Sequence, residues 1–166
     1  GTGTCPLWIT RLYGAGNEGD VSHVNIILAA CSGNAIEYVH GGSYNAHVNG
    51  DIHLTITSGI LKNVYGGNDS EGGIEGDIIV DIEETDGCNP IIIQNLVGGG
   101  NEAAYPGTLK SGGVVTPIDR HGKITVNVKS ATRIDNIYGG SFNAEADADT
   151  EININMMRSL DRKSVV

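Results

Sequence analysis

Apolar residues recur along this chain on two short frames, and both frames repeat. The first is strict alternation: Val24, Ile26, Leu28; Ile52, Leu54, Ile56; Ile78, Val80, Ile82; Ile124, Val126, Val128; Ile152, Ile154, Met156. Residues such as His53, Asp81, Asn127 and Asn153 sit between them. Period two with β-branched residues marks a strand buried on one face. The second frame is apolar-x-x-apolar: Ile9/Leu12, Ile36/Val39, Leu61/Val64, Ile93/Leu96, Ile134/Ile137. A flat strand turns residues i and i+3 to opposite faces. Both anchors therefore enter one core only if this segment bends or carries a bulge.

The second frame always runs into glycine. The strings RLYGAG (Arg11–Gly16), YVHGG (Tyr38–Gly42), NVYGG (Asn63–Gly67), NLVGGG (Asn95–Gly100) and NIYGG (Asn136–Gly140) are five copies of one motif. Their first glycines are Gly14, Gly41, Gly66, Gly98 and Gly139, at intervals of 27, 25, 32 and 41 residues. The two short intervals define the unit, and the longer ones carry insertions. A third short segment (Ser43–Asn49, Asn68–Glu75, Ser141–Asp149) lies between the glycines and the alternating strand. The hexapeptides Gly41–Ala46 and Gly139–Ala144 differ only in Tyr44 against Phe142.

Two or three short strands per unit, glycine corners and no helical period predict an all-β fold. The expected architecture is a single-stranded parallel β-helix, or β-solenoid, of about five coils of roughly 25–28 residues, because such units bury their apolar edges only by stacking. A propeller blade would need about 40 residues in four strands. An antiparallel sandwich is the structural rival. Residues 1–166 read as one solenoid domain with insertion loops at 83–91 and 101–121. The longer insertion, with Pro106 and Pro117, is the better candidate for a functional loop, since insertions in repeat proteins gather on the binding side.

The pattern of Tyr65–Gly67 followed by Gly76–Ile82, "YGG…GDI.V.I", resembles the Gly-rich right-handed parallel β-helix repeats of secreted or surface-exposed bacterial proteins, often labelled adhesin-like. The resemblance spans Trp8 to about Met157. It implies a right-handed solenoid, an extracellular or cell-surface location and a role in adhesion. It does not fix an activity, because β-helices host lyases, hydrolases, adhesins and passive stalks alike.

Composition narrows the partners. Twenty acids face ten bases, a net charge of -10, which argues against nucleic acid or an anionic membrane as partner. No apolar run approaches the 18–20 or so residues that cross a bilayer, so no membrane insertion is expected in this segment. Gly1–Thr4 has neither an initiator Met nor signal-peptide character. The chain is accordingly expected to be part of a longer protein, flanked by further repeats of its own chain, and open coil ends are edges that can stack between molecules. Cys5, Cys31 and Cys88 are an odd set without metal-type spacing, which leaves buried thiols or one disulfide open.

Candidate chemistry comes last. Tyr13, Tyr65 and Tyr138 share one unit position with His40 and Val97. In register, Tyr13, His40, Tyr65 and Tyr138 form an aromatic ladder. It is a candidate ligand-binding set if its rings stack on sugars, and a structural one if they pack on each other for about 0.5–1.5 kcal/mol per pair. Asp81 and Glu83 with Lys129 are the candidates for paired-carboxylate hydrolysis of a polysaccharide. Asp69/Glu71, Glu83/Glu84/Asp86 and Glu145/Asp147/Asp149 are turn acids that match no Ca2+ loop. His23, His40, His47, His53 and His121 show no metal spacing, and no nucleophilic triad has a local signature. No metal and no cofactor are expected. The function expected is a non-catalytic structural or adhesive solenoid segment of a bacterial cell-surface or secreted protein, with an extracellular glycan or a host or surface protein as partner. The alternative is a polysaccharide-active lyase or hydrolase, or a carbohydrate-binding module.

Overall fold

The computed structural model describes residues 7–31, 35–85 and 90–155. Among them lie eleven strands and no helix: β1 (Trp8–Tyr13), β2 (Val24–Ala29), β3 (Ala35–His40), β4 (Ile52–Tyr65), β5 (Ile78–Glu83), β6 (Ile91–Val97), β7 (Thr108–Ser111), β8 (Val114–Pro117), β9 (Gly122–Ser130), β10 (Arg133–Tyr138) and β11 (Ala148–Ile154). All strand pairings but one are parallel and join successive coils. The fold is an all-β solenoid of about five turns.

Two sheets run its length. One stacks the apolar-x-x-apolar strands: β1, β3, the second half of β4, β6 and β10. The other stacks the alternating strands: β2, the first half of β4, β5, β9 and β11. In that sheet Ile52, Leu54 and Ile56 register with Ile78, Val80 and Ile82, and the first two of these with Ile124 and Val126. All eight side chains have zero exposure. In β4 the two frames form one continuous strand that turns the solenoid corner at Gly59, which takes a positive φ of 136°.

The sequence puzzle of anchors three apart resolves as a bend. In the first sheet the paired positions skip Thr10, Glu37, Lys62, Gln94 and Asp135, the same place in every coil, with no change of offset. No residue is inserted, so this is not a bulge. The chain kinks where two polar residues follow one another, and both Ile36 and Val39, Leu61 and Val64, Ile93 and Leu96 are buried.

The five motif glycines form one column. Gly14, Gly41, Gly66 and Gly98 each donate their N–H to the carbonyl of the residue before the next column member, at 2.7–2.9 Å. None of the five has a positive φ. Their requirement is for space: a Cβ on Gly41 would run into the Gly66 carbonyl oxygen and come within 2.9 Å of Ile52. Stacked strands lie only about 4.8 Å apart, and the corner leaves no room for a side chain between them.

A third wall closes the coil. Val21, Val48 and Ile74 bridge in parallel from coil to coil. The long insertion does not simply leave as a loop. Asn101 and Glu102 hydrogen-bond back to Asn68 and Asp69, and Tyr105 exchanges backbone bonds with Glu145 and Asp147, so 101–107 is part of this wall. The antiparallel hairpin β7–β8 follows, and its Thr108, Lys110 and Val115 line a cleft with Glu18, Asp20, His47 and Glu71 of the preceding coils. Of the shorter insertion, residues 86–89 lie outside the described residues; Glu84 and Thr85 hold to Ser130 and Thr57. Cys31 is disulfide-bonded, which removes the plain buried-thiol reading for it; Cys5 and Cys88 lie outside the described residues.

Candidate functional site

The in-register sheet turns the repeated aromatic position into a ring stack. Tyr13 and His40 lie 4.8 Å apart with planes 10° from parallel, and His40 and Tyr65 4.9 Å apart at 8°. These separations equal the strand spacing, so the sheet itself sets them. Val97 breaks the stack at the fourth coil, and Tyr138 is joined to it only through Phe142, which meets both Tyr65 and Tyr138 edge-on at 6.2 and 5.7 Å. Tyr44, the residue equivalent to Phe142, meets Tyr13 in the same edge-on way at 6.1 Å.

The ladder is therefore less outward than its sequence position suggests. His40 is 1% exposed and Tyr65 4%. Their ring faces are taken by their neighbours and cannot stack on a sugar. Tyr13 is half-buried and Tyr138 exposed. Exposed aromatics beside the stack are Tyr44, at 42%, and Phe142, at 48%.

Above Tyr13, His40 and Tyr44 opens a cleft of about 610 Å³ to which four coils contribute. Arg11 and Asn17 come from the first coil, Tyr38 and Tyr44 from the second, Asp69 and Ser70 from the third, Asn101 and Glu102 from the fourth. Asp69 organises it: its Oδ2 accepts a 2.7 Å bond from the Tyr13 hydroxyl, and its Oδ1 accepts from Asn101 Nδ2 at 3.0 Å. Burial and then this bond hold the Tyr13 phenol well above its ordinary pKa. Arg11 lies over the Tyr38 ring with its guanidinium carbon 5.0 Å from the centroid, a cation–π contact that also fixes a donor at the cleft rim. Only Tyr13 and His40 of this set are ladder residues proposed from sequence. Asp69 is a turn acid in the sequence reading, Asn101 and Glu102 belong to the insertion expected to be functional, and Arg11, Asn17, Tyr38, Tyr44 and Ser70 carry no expectation there. The register of Arg11 with Tyr38, two positions before the ladder and so on the same strand face, is a signal for two of them.

His40 occupies a tyrosine position and carries a titratable group into the wall. Burial drives its pKa down to about 4; Asp69 opposes this and Arg11 adds to it. Its Nε2 is 3.7 Å from Asp69 Oδ2, too long for a hydrogen bond, and Nδ1 has no hydrogen-bond partner among the described residues. The unfolded chain takes up a proton below about pH 6.5 while the folded chain resists until about pH 4. Stability from this group is thus complete above pH 6.5 and declines as pH falls towards 4, by at most about 3 kcal/mol. Urea unfolding from pH 7 to 4.5 should show that decline, and His40→Phe, which keeps a flat ring in the stack, should flatten it. An unchanged slope in the variant would refute the assignment.

The paired-carboxylate candidates are on the other sheet. Asp81 accepts bonds from Asn127 at 2.8 Å and shares a 2.6 Å contact with His53. Burial raises its pKa, but these two bonds and the nearby charges outweigh it and hold the carboxyl below its ordinary value. Glu83 pairs with Lys129 at 3.7 Å. Asp147 and Asp149 clamp His121 at 2.7 and 3.0 Å. Among the described residues no group of three His, Cys, Asp or Glu is placed to hold a metal ion. Comparison with protein-family models, with curated proteins and with solved structures finds no match for the chain.

Proposed function

We propose that this chain is a non-catalytic structural and adhesive solenoid segment of a bacterial cell-surface or secreted protein, and that it takes an extracellular glycan in the cleft beside Tyr13. The observation that carries the reading is the cleft itself: an exposed aromatic ring, Tyr44, stands beside Arg11, Asn17 and Glu102 over a floor fixed by Asp69. Binding sites combine apolar surface with a few placed polar groups. A pyranose presents the complement, an apolar C–H face with hydroxyls around its rim. The disulfide at Cys31 suits an oxidising, extracellular compartment.

The polysaccharide-active alternative draws less support. A general acid needs a raised pKa, whereas Asp81 is moved the other way and its oxygens are engaged by His53 and Asn127.

A glycan array followed by calorimetry tests the proposal. Tyr44→Ala and Arg11→Ala should each weaken binding about tenfold or more with Tm within roughly 2 °C of the parent, as expected for surface changes. Failure to bind any glycan would overturn the glycan reading. Cleavage of a polysaccharide that is lost in Asp81→Asn would overturn the non-catalytic one.

A further inference from the structure

A second cleft runs beside the Tyr13 cleft. It holds about 300 Å³ between the β7–β8 hairpin and the turns of the first three coils. Asn17, Tyr44 and Ser70 line the Tyr13 cleft, and the next residue in each coil, Glu18, Asn45 and Glu71, lines the second. These pairs form one ridge. Asn45 bridges Glu71 in parallel, and its N–H donates to the carbonyl of Asn17, the residue before Glu18. At about 4.8 Å per coil, Glu18 and Glu71 stand about 10 Å apart along the ridge, with Asn45 between them. A ligand that crosses the ridge passes from one cleft to the other.

The second cleft has a surplus of negative charge. Glu18, Asp20 and Glu71 face one base, Lys110. Asp20 accepts the His47 backbone N–H at 3.0 Å. Glu18, Glu71 and Lys110 have neither an ion pair nor a side-chain hydrogen bond among the described residues. In the first cleft, by contrast, Asp69 is already held by Tyr13 and Asn101. The net charge of -10 on the whole chain adds to the field that draws a cation here.

A buried group supports the same ligand chemistry. His47 lines the second cleft with a side chain only 7% exposed. Its Nε2 has no hydrogen-bond partner among the described residues, and the Glu75 carboxylate is 3.6 Å away. Buried polar atoms left unpaired are exceptions in folded proteins. With the ring proton on Nδ1, this nitrogen is an acceptor that lacks a donor. An ammonium group brings three donors and a positive charge. Ala46 and Val115 add apolar wall, so the cleft suits a ring as well as a charge.

We propose that the ligand is an amine-bearing glycan. One sugar ring rests on Tyr44 in the first cleft, and the ammonium of a neighbouring ring lies among Glu18, Asn45 and Glu71 in the second. This inference rests on the glycan reading above and names the class of glycan. An N-acetylated sugar does not fill the second cleft in the same way, because acetylation removes the charge.

Paired oligosaccharides test this: tetramers of glucosamine and N-acetylglucosamine, and of galactosamine and N-acetylgalactosamine. They are titrated by calorimetry at about pH 6, below the range of an α-amino group. The amine-bearing member of a pair should bind about tenfold more tightly. That preference should vanish in about 1 M salt, where the Debye length is about 3 Å. Glu18→Gln combined with Glu71→Gln should remove the preference and leave the acetylated twin's affinity unchanged. Lys110→Ala should widen it about threefold. Tyr44→Ala should weaken both twins. All four positions are exposed, and folding of each variant is checked by Tm. Twins of equal affinity, a preference that survives in the double Gln variant, or binding confined to glycans without an amine would overturn this inference and leave the glycan reading standing. Amine binding that Tyr44→Ala does not weaken would overturn the joined site. Failure of every glycan to bind would overturn the glycan reading, and this inference with it.

Discussion

Gly66→Ala should unfold this protein at a markedly lower temperature, while the same change at Gly139 should be nearly silent. A Cβ at Gly66 would strike the Gly98 carbonyl oxygen and come within 2.7 Å of Ile78 and 2.9 Å of Val80. The first obstacle is backbone and the others are zero-exposure core, so nothing nearby can swing aside. Prying the corner open should cost about 3 kcal/mol or more, a drop in Tm of roughly 10 °C for a chain of this size. At Gly139 no coil is described below, and the nearest atom to a new Cβ is Thr150 at 3.2 Å. The cost there should stay within about 1 kcal/mol. Thermal melts of the two variants decide it. Equal losses would mean that the motif glycines act through backbone conformation, since a conformational need would be the same in every copy.

Tyr105→Ala should be comparably damaging, although it lies in a segment that sequence alone assigns to a loop. Tyr105 is 2% exposed. Its ring lies against Gly122, where any Cβ would collide with it, and its hydroxyl donates to the Gly76 carbonyl at 2.7 Å. Truncating a buried aromatic of this size costs about 3–5 kcal/mol. Tyr105→Phe should cost only about 1–2 kcal/mol: Arg120 Nη1 also donates to Gly76 O at 2.7 Å and keeps that carbonyl satisfied, and the other bond lost, from Lys123 N–H to the hydroxyl, is long at 3.3 Å. Urea titrations give both numbers. A Tyr105→Ala variant as stable as the parent would show that 101–107 is not part of the wall.

The two variants mark where sequence reasoning succeeds and stops. Alternation in Ile52–Ile56 and Ile78–Ile82 is legible because a half-buried strand admits no other pattern. The coil repeat is legible because each unit needs the next to bury its edge. The bend at Glu37–Tyr38 or Gln94–Asn95 follows from the anchors alone, although its form, a skipped pairing rather than a bulge, does not. The burial of Tyr65 could not be read from its own repeat. His40 stacks on one face of its ring, and Phe142, more than seventy positions away in sequence, lies edge-on against it. The cleft was hidden for the same reason: its carboxylate comes from the third coil and its amide from the fourth, and only the finished stack brings them to Tyr13.

The central claim is that equivalent positions of successive coils lie one above another at strand spacing. Ile27 in the first coil and Asn153 in the last are exposed ends of one column, through Thr55, Asp81 and Asn127. Spin labels at these two positions, diluted with unlabelled chain, measure the height of the stack directly by pulsed dipolar spectroscopy. Four steps of about 4.8 Å place the two backbones about 19 Å apart, so the account predicts a single narrow distribution centred near that value. A centre beyond about 30 Å, where more than six such steps would be needed, or several separate populations, would contradict it.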